Sequence, residues 1–199
     1  MTSPPEDQPS LMPLAGNEPA GINAAVLDFW RWAYSNLRDN VVRGVFAEWL
    51  VGEALGCTTA MRSAWDDYDL LTAEGIRVEV KSAAYLQSWA SERPSPIRFS
   101  GHARQSSYPT GDPSDLAPDC RADVYVFALL TTKEPVPYAE LDMEQWEFWV
   151  LGVDALRANG AKSIGLSKLA GLAGAPLKYG DLKKAVRDGT KLADGTQFS

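Results

Sequence analysis

The sequence predicts an α/β domain built on a central mixed β-sheet of four to five strands flanked by helices. Two observations predict it. Apolar, strand-like stretches occupy the middle of the chain, and stretches with helical spacing occupy both ends. The 199 residues are enough to bury one full core without disulfides. Residues 1–20, rich in Pro, Ser and acidic groups, are expected to be a disordered tail, and 21–199 a single domain.

The elements follow in order. Ile22 to Leu37 reads as a helix with Phe29, Trp30, Ala33 and Leu37 on one side. Arg43 to Leu55 reads as a second helix, with Phe46, Trp49, Leu50 and Leu55 near helical spacing and Gly56 as its stop. Ile76-Arg-Val-Glu-Val-Lys alternates apolar and polar, as a half-buried strand does, and Tyr68-Asp-Leu-Leu-Thr is its hairpin partner. Ala122 to Leu130 is nearly all apolar and therefore a central, buried strand. Thr-Thr-Lys-Glu-Pro-Val-Pro connects it to an alternating aromatic strand, Gln145 to Gly152. Val153 to Ala158 predicts a short helix ending at Asn159-Gly160, and Ser163-Ile-Gly-Leu a last strand. A final helix follows Tyr179, with Leu182, Ala185 and Val186 at helical spacing and Gly189 past its end.

The hairpin concentrates the chemistry. Side chains alternate across a strand, so Arg77, Glu79 and Lys81 share one face and Val78 and Val80 the other. A two-residue loop sets Asp69 opposite Val80. A three-residue loop, Ala73-Glu74-Gly75, sets Asp69 opposite Glu79, and Gly suits the left-handed last position of such a loop. Opposed Cβ atoms lie about 4.5–5.5 Å apart. Two carboxylates there repel unless a cation sits between them, so the three-residue loop with a metal is preferred. Asp67 shares the face of Asp69 in this register and Asp66 faces away; either is a competing ligand, and both also suit a turn. Glu-Val-Lys is also common in ordinary solvated strands. Glu48 sits among Phe46, Ala47, Trp49 and Leu50, where a carboxylate needs a partner; Arg43 or solvent would serve.

Other chemistries are poorly supplied. The single His102 and two distant cysteines, Cys57 and Cys120, do not make a zinc site or a His-based triad. No P-loop, dinucleotide fingerprint or internal repeat is present. No apolar run is long enough for a bilayer, no signal-peptide pattern opens the chain, and the cysteines read as free thiols of a cytoplasmic protein. The net charge of −7 argues against a protein that simply coats DNA. Locally, Gln87 to Tyr108 holds Arg93, Arg98 and Arg104 against one Glu92, with Trp89, Phe99 and Tyr108 interspersed. Such a loop suits a phosphate backbone, and suits equally an ordinary solvated connection.

A helix carrying Glu48, then a hairpin carrying Asp69 and Glu79-Val-Lys81, resembles the PD-(D/E)XK nuclease superfamily. The similarity spans roughly residues 40–90, with weaker agreement to about 152, and Tyr68 stands where the Pro of the motif would be. The resemblance implies a restriction-endonuclease-like fold and a Mg²⁺-dependent endonuclease acting on DNA, with Mn²⁺ able to substitute. It implies Glu48 as an auxiliary carboxylate, Asp69 and Glu79 as metal ligands with the carbonyl of Val80, and Lys81 as the residue that activates water or stabilises the transition state. Gln87 is similar to a glutamine that several branches place after the lysine; Ser82 is a weaker accessory. Arg93, Arg98 and Arg104 would contact nucleic acid. Restriction or anti-phage defence is implied by the family alone; with little room in 199 residues for a separate DNA-reading domain, such a nuclease would read its target through its own loops, as a homodimer or with a partner subunit. The alternative is a catalytically silent nuclease-fold subunit that binds nucleic acid or protein.

Overall fold

A computed structural model describes residues 14–58, 61–63, 66–88, 94–100, 122–137, 139–160 and 163–191. Helix α1 covers Val26–Tyr34, shorter than the expected 22–37. Its start is set by Asp28, whose carboxylate accepts the Ala25 amide at 2.9 Å. None of its residues is buried, and Phe29 is half exposed, so the expected apolar side faces no core. Part of the expected tail packs on this helix: Gly16 and Glu18 carbonyls accept the Leu27 and Val26 amides. Residues 1–13 lie outside the described residues.

Helix α2 runs Asn40–Leu55. It starts before the expected Arg43 because Asp39 caps the Val41 and Val42 amides. Gly56 ends it as expected, at φ 76°, donating to the Glu53 and Gly52 carbonyls. Ala47, Leu50, Val51 and Leu55 are buried, whereas Trp49 is half exposed and stacks on Phe46.

The strands are β1 (Leu70–Leu71), β2 (Arg77–Ala84), β3 (Arg98–Ser100), β4 (Val124–Leu130), β5 (Trp146–Gly152) and β6 (Ser163–Gly165). A four-stranded mixed sheet has the order β1-β2-β4-β5, and β3 pairs with β6 in a separate two-stranded sheet. Strand β2 pairs antiparallel with β1 and parallel with β4, and β4 pairs antiparallel with β5. Every residue of β4 is buried, as expected of a central strand covered on both faces. Ser163-Ile-Gly therefore forms a strand, but not in the main sheet.

Three further α-helices lie among the described residues: α3 (Val153–Asn159), α4 (Leu166–Ala173) and α5 (Leu182–Lys191). Gly189 lies inside α5 rather than past its end; added there, a Cβ would touch Val150 and Val124. One sheet face packs on α2 and α5, with Val78, Val80, Val124 and Val126 against Leu50, Val51, Leu182 and Val186. The other face packs Tyr125, Phe127, Trp149 and Leu151 against Phe99 of β3, Ile164 of β6, Leu156 of α3 and Leu169 of α4. The architecture is a mixed α/β fold whose four-stranded sheet is flanked by helices. No described helix is long and apolar enough to cross a membrane.

Candidate active site

The β1–β2 hairpin has the three-residue loop. Leu70 pairs with Val78 and Leu71 with Arg77. The Thr72 amide donates to the Ile76 carbonyl at 3.0 Å, and Gly75 closes the loop at φ 82°. The ladder ends at Leu70 and Val78: Asp69 precedes β1, and its amide donates at 3.1 Å to the carbonyl of Val78, the partner of Leu70, so the pairing does not run on to set Asp69 directly opposite Glu79 as expected. The alternation of β2 then decides which side chains meet. Val78 and Val80 point into the core beneath α2, while Glu79 and Lys81 stay half-buried on the opposite face.

Asp69 is held by the backbone. Its Oδ2 accepts the Val80 amide at 2.7 Å. Burial, then the charge of Glu79, then that of Glu48, push its pKa up to about 6. The Val80 amide and the Lys81 ammonium act the other way and are outweighed. Asp69 therefore feels the charges of both Glu79 on β2 and Glu48 on α2. Lys81 Nζ donates to Glu79 Oε1 at 2.5 Å, with both side chains about a fifth exposed.

Glu48 is paired with Arg62, not with Arg43. Arg62 grips it with Nη2 at 2.9 Å from Oε1 and with Nε on Oε2. Glu48 and Asp69 together raise the pKa of Arg62. Arg62 therefore belongs to the cluster, and sequence reasoning missed it: it lies outside every periodic element, in a stretch with no motif. Asp67 contributes its charge to Arg77, which is bound to Asp123 at 2.5 Å. Asp69 carries a strongly shifted carboxyl beside Glu79.

The other expected residues fall elsewhere. Val80 is buried in the core, with its amide given to Asp69. Gln87 donates from Nε2 to the Ala84 carbonyl at 3.0 Å and lines a cavity with Arg43, Ser82 and Arg98, none of the carboxylates being part of that lining. Arg98 is exposed on β3 and donates to Ser163 Oγ at 2.7 Å. Arg93 and Arg104 lie outside the described residues.

The donor set limits the kind of metal. Among the described residues no three His, Cys, Asp or Glu converge as a cage. Mg²⁺ does not require one: it usually keeps several waters and binds one or two carboxylates. A half-buried carboxylate raised by burial and by two neighbouring charges is a site that a divalent cation would stabilise. The pair Asp69 and Glu79 fits such an ion. Comparison with protein-family models and with curated proteins gives no match.

Proposed function

We propose that this chain is a Mg²⁺-dependent endonuclease that hydrolyses DNA phosphodiester bonds, with a restriction-endonuclease-like fold. The observation that carries the reading is Asp69 held at the Val80 amide and close enough to Glu79 to feel its charge, with Lys81 bonded to Glu79. Asp69 and Glu79 would hold the cation, joined by the backbone carbonyl of Val80. When bound, Mg²⁺ would polarise the scissile phosphate and lower the pKa of a water.

The chain's own groups do the rest. The Val80 amide fixes the Asp69 carboxylate, so it need not be ordered when a ligand arrives. Lys81 would leave Glu79 for the developing negative charge on phosphorus-bound oxygen, or orient the attacking water. Glu48 adds a third negative charge and is kept in place by Arg62. Arg98 would contact a backbone phosphate.

A second reading has its own observation. Glu48 is satisfied by Arg62, Glu79 by Lys81 and Asp69 by the Val80 amide, so the cluster has partners without a cation. That is the pattern of a catalytically silent subunit that binds nucleic acid or protein. Cleavage of supercoiled plasmid and of single-stranded DNA separates the two, with Mg²⁺, Mn²⁺ or EDTA and with wild type beside Lys81→Ala. Metal-dependent cutting lost in the variant supports the nuclease. Absence of both cutting and Mg²⁺ binding in the wild type supports the silent subunit.

A further inference from the structure

A second polar site lies beyond the carboxylates. A cavity of about 280 Å³ is walled by the far end of β2, the first turn of α2 and the start of β3. Arg43, Arg98, Gln87, Asn40 and Ser82 supply its polar lining, and among the described residues no acidic side chain is part of it.

Arg43 is the reason to expect a ligand. Only 4% of it is exposed, and a guanidinium cannot shed its charge to escape burial. Its Nη1 donates to the Arg38 carbonyl at 3.1 Å and its Nη2 to Asn40 Oδ1 at 2.8 Å, both neutral acceptors. Its Nε is buried with no partner. Asp39 is near enough to act through its charge, but its Oδ1 is occupied in capping Val41 and Val42. Buried charges are normally paired, so this cation calls for an anion. Gln87 adds a complementary demand: its Oε1 is buried and accepts nothing. The unpartnered Arg43 Nε and Gln87 Oε1 belong to two residues that line a cavity that also holds Arg98.

We propose that this cavity binds a phosphate group, with Arg43 and Arg98 on its oxygens and Gln87 accepting from a hydroxyl next to them. That hydroxyl is the P–OH of hydrogen phosphate or a hydroxyl or N–H of the nucleotide that carries the phosphate. Arginine is the side chain suited to phosphate, through charge-assisted bonds in a planar fork. The volume is close to the ~300 Å³ lower end of small-ligand pockets, which suits a phosphate or one nucleotide. The role of Gln87 becomes binding rather than catalysis. The site does not depend on the nuclease reading, since it uses neither Asp69 nor Glu79.

The test is calorimetry on the full chain at constant ionic strength, titrating inorganic phosphate, sulfate, adenosine 5′-monophosphate and a 5′-phosphorylated trinucleotide. Arg98→Ala is the main variant because Arg98 is exposed and its loss leaves the core intact. Inorganic phosphate is expected to bind, with affinity reduced about tenfold or more in Arg98→Ala. Phosphate is expected to bind more tightly than sulfate, which offers no hydroxyl at neutral pH, and Gln87→Leu should narrow that gap. Glu79→Ala should bind as wild type does, whatever its effect on DNA cleavage. Tighter binding of the nucleotide probes assigns the site to nucleic acid, and equal binding to free phosphate. Absence of binding by every probe, or unchanged affinity in Arg98→Ala, overturns the proposal.

Discussion

Asp69 sits at the end of the β1–β2 hairpin, and its Oδ2 takes the amide of Val80, the residue after Glu79 in β2, at 2.7 Å. The hydrogen bond favours the carboxylate, yet burial and the two neighbouring carboxylates prevail and place the pKa at about 6. The backbone holds a charge there that the surroundings oppose.

That opposition makes stability depend on pH. The unfolded carboxyl titrates near 3.9 and the folded one at about 6, so between these values the folded state holds more protons. Stability contributed by Asp69 is therefore full below about pH 4, falls as pH rises to about 6, and stays low above. The change is on the order of 2–3 kcal/mol at most, less where solvent reaches the group. Urea unfolding in EDTA should show Asp69→Asn gaining on the wild type across this window. An identical pH slope in the two proteins would contradict the assignment.

Hairpin register depends on Gly75. At φ 82°, with nothing within 4 Å of where a Cβ would sit, a substitution there meets a backbone penalty and no clash. Gly75→Val should lower stability by about 1–2 kcal/mol, read as a reduced urea midpoint with an unchanged m-value. Removing Glu74 should do more, because a shift of register moves Asp69 off the Val80 amide.

Two glycines bracket the packing of α5 on the sheet. A Cβ on Gly152 would lie 2.6 Å from the Gly189 carbonyl oxygen, backbone against backbone. Gly152→Ala should destabilise by about 1–3 kcal/mol. Gly44, inside α2 with open space around it, is the control. Gly44→Ala should stabilise by about 0.5–1 kcal/mol, and thermal melts of the two variants should move in opposite directions.

Arg62 holds Glu48, whose side chain is only 13% exposed. Arg62→Ala should cost about 1 kcal/mol, and Glu48→Gln in the same background should recover part of it. A double-mutant cycle with no coupling between the two would show that the pair does not stabilise the fold.

The hairpin was legible because two independent local signals agree on it, the alternation of Ile76 to Lys81 and the glycine at the last loop position. Strand β4 was legible from its unbroken apolar run, and the end of α2 from Gly56. What escaped depends on contacts distant in sequence. Arg62 meets Glu48 across fourteen residues, through a stretch with no periodicity to mark it. Gln87 bends back to Ala84 and into a cavity that α2 and β3 complete, so its spacing from Lys81 does not report its surroundings. Strand β3 is three residues in a Ser- and Pro-rich stretch, and α4 starts at Gly165 with no side-chain cap. Helix α1 has a strong apolar stripe, but none of its residues is buried, a matter of tertiary context rather than of pattern.

The central claim is that the Asp69–Glu79 pair supports metal-dependent cleavage. The most direct measurement is nicking of supercoiled plasmid in Mg²⁺ by Glu79→Ala beside the wild type, with circular dichroism confirming that both are folded. The account predicts cutting by the wild type that EDTA abolishes, and its loss by about a hundredfold or more in the variant, since Glu79 would hold the cation that polarises the phosphate and activates the water. Full activity in a folded Glu79→Ala protein would contradict it.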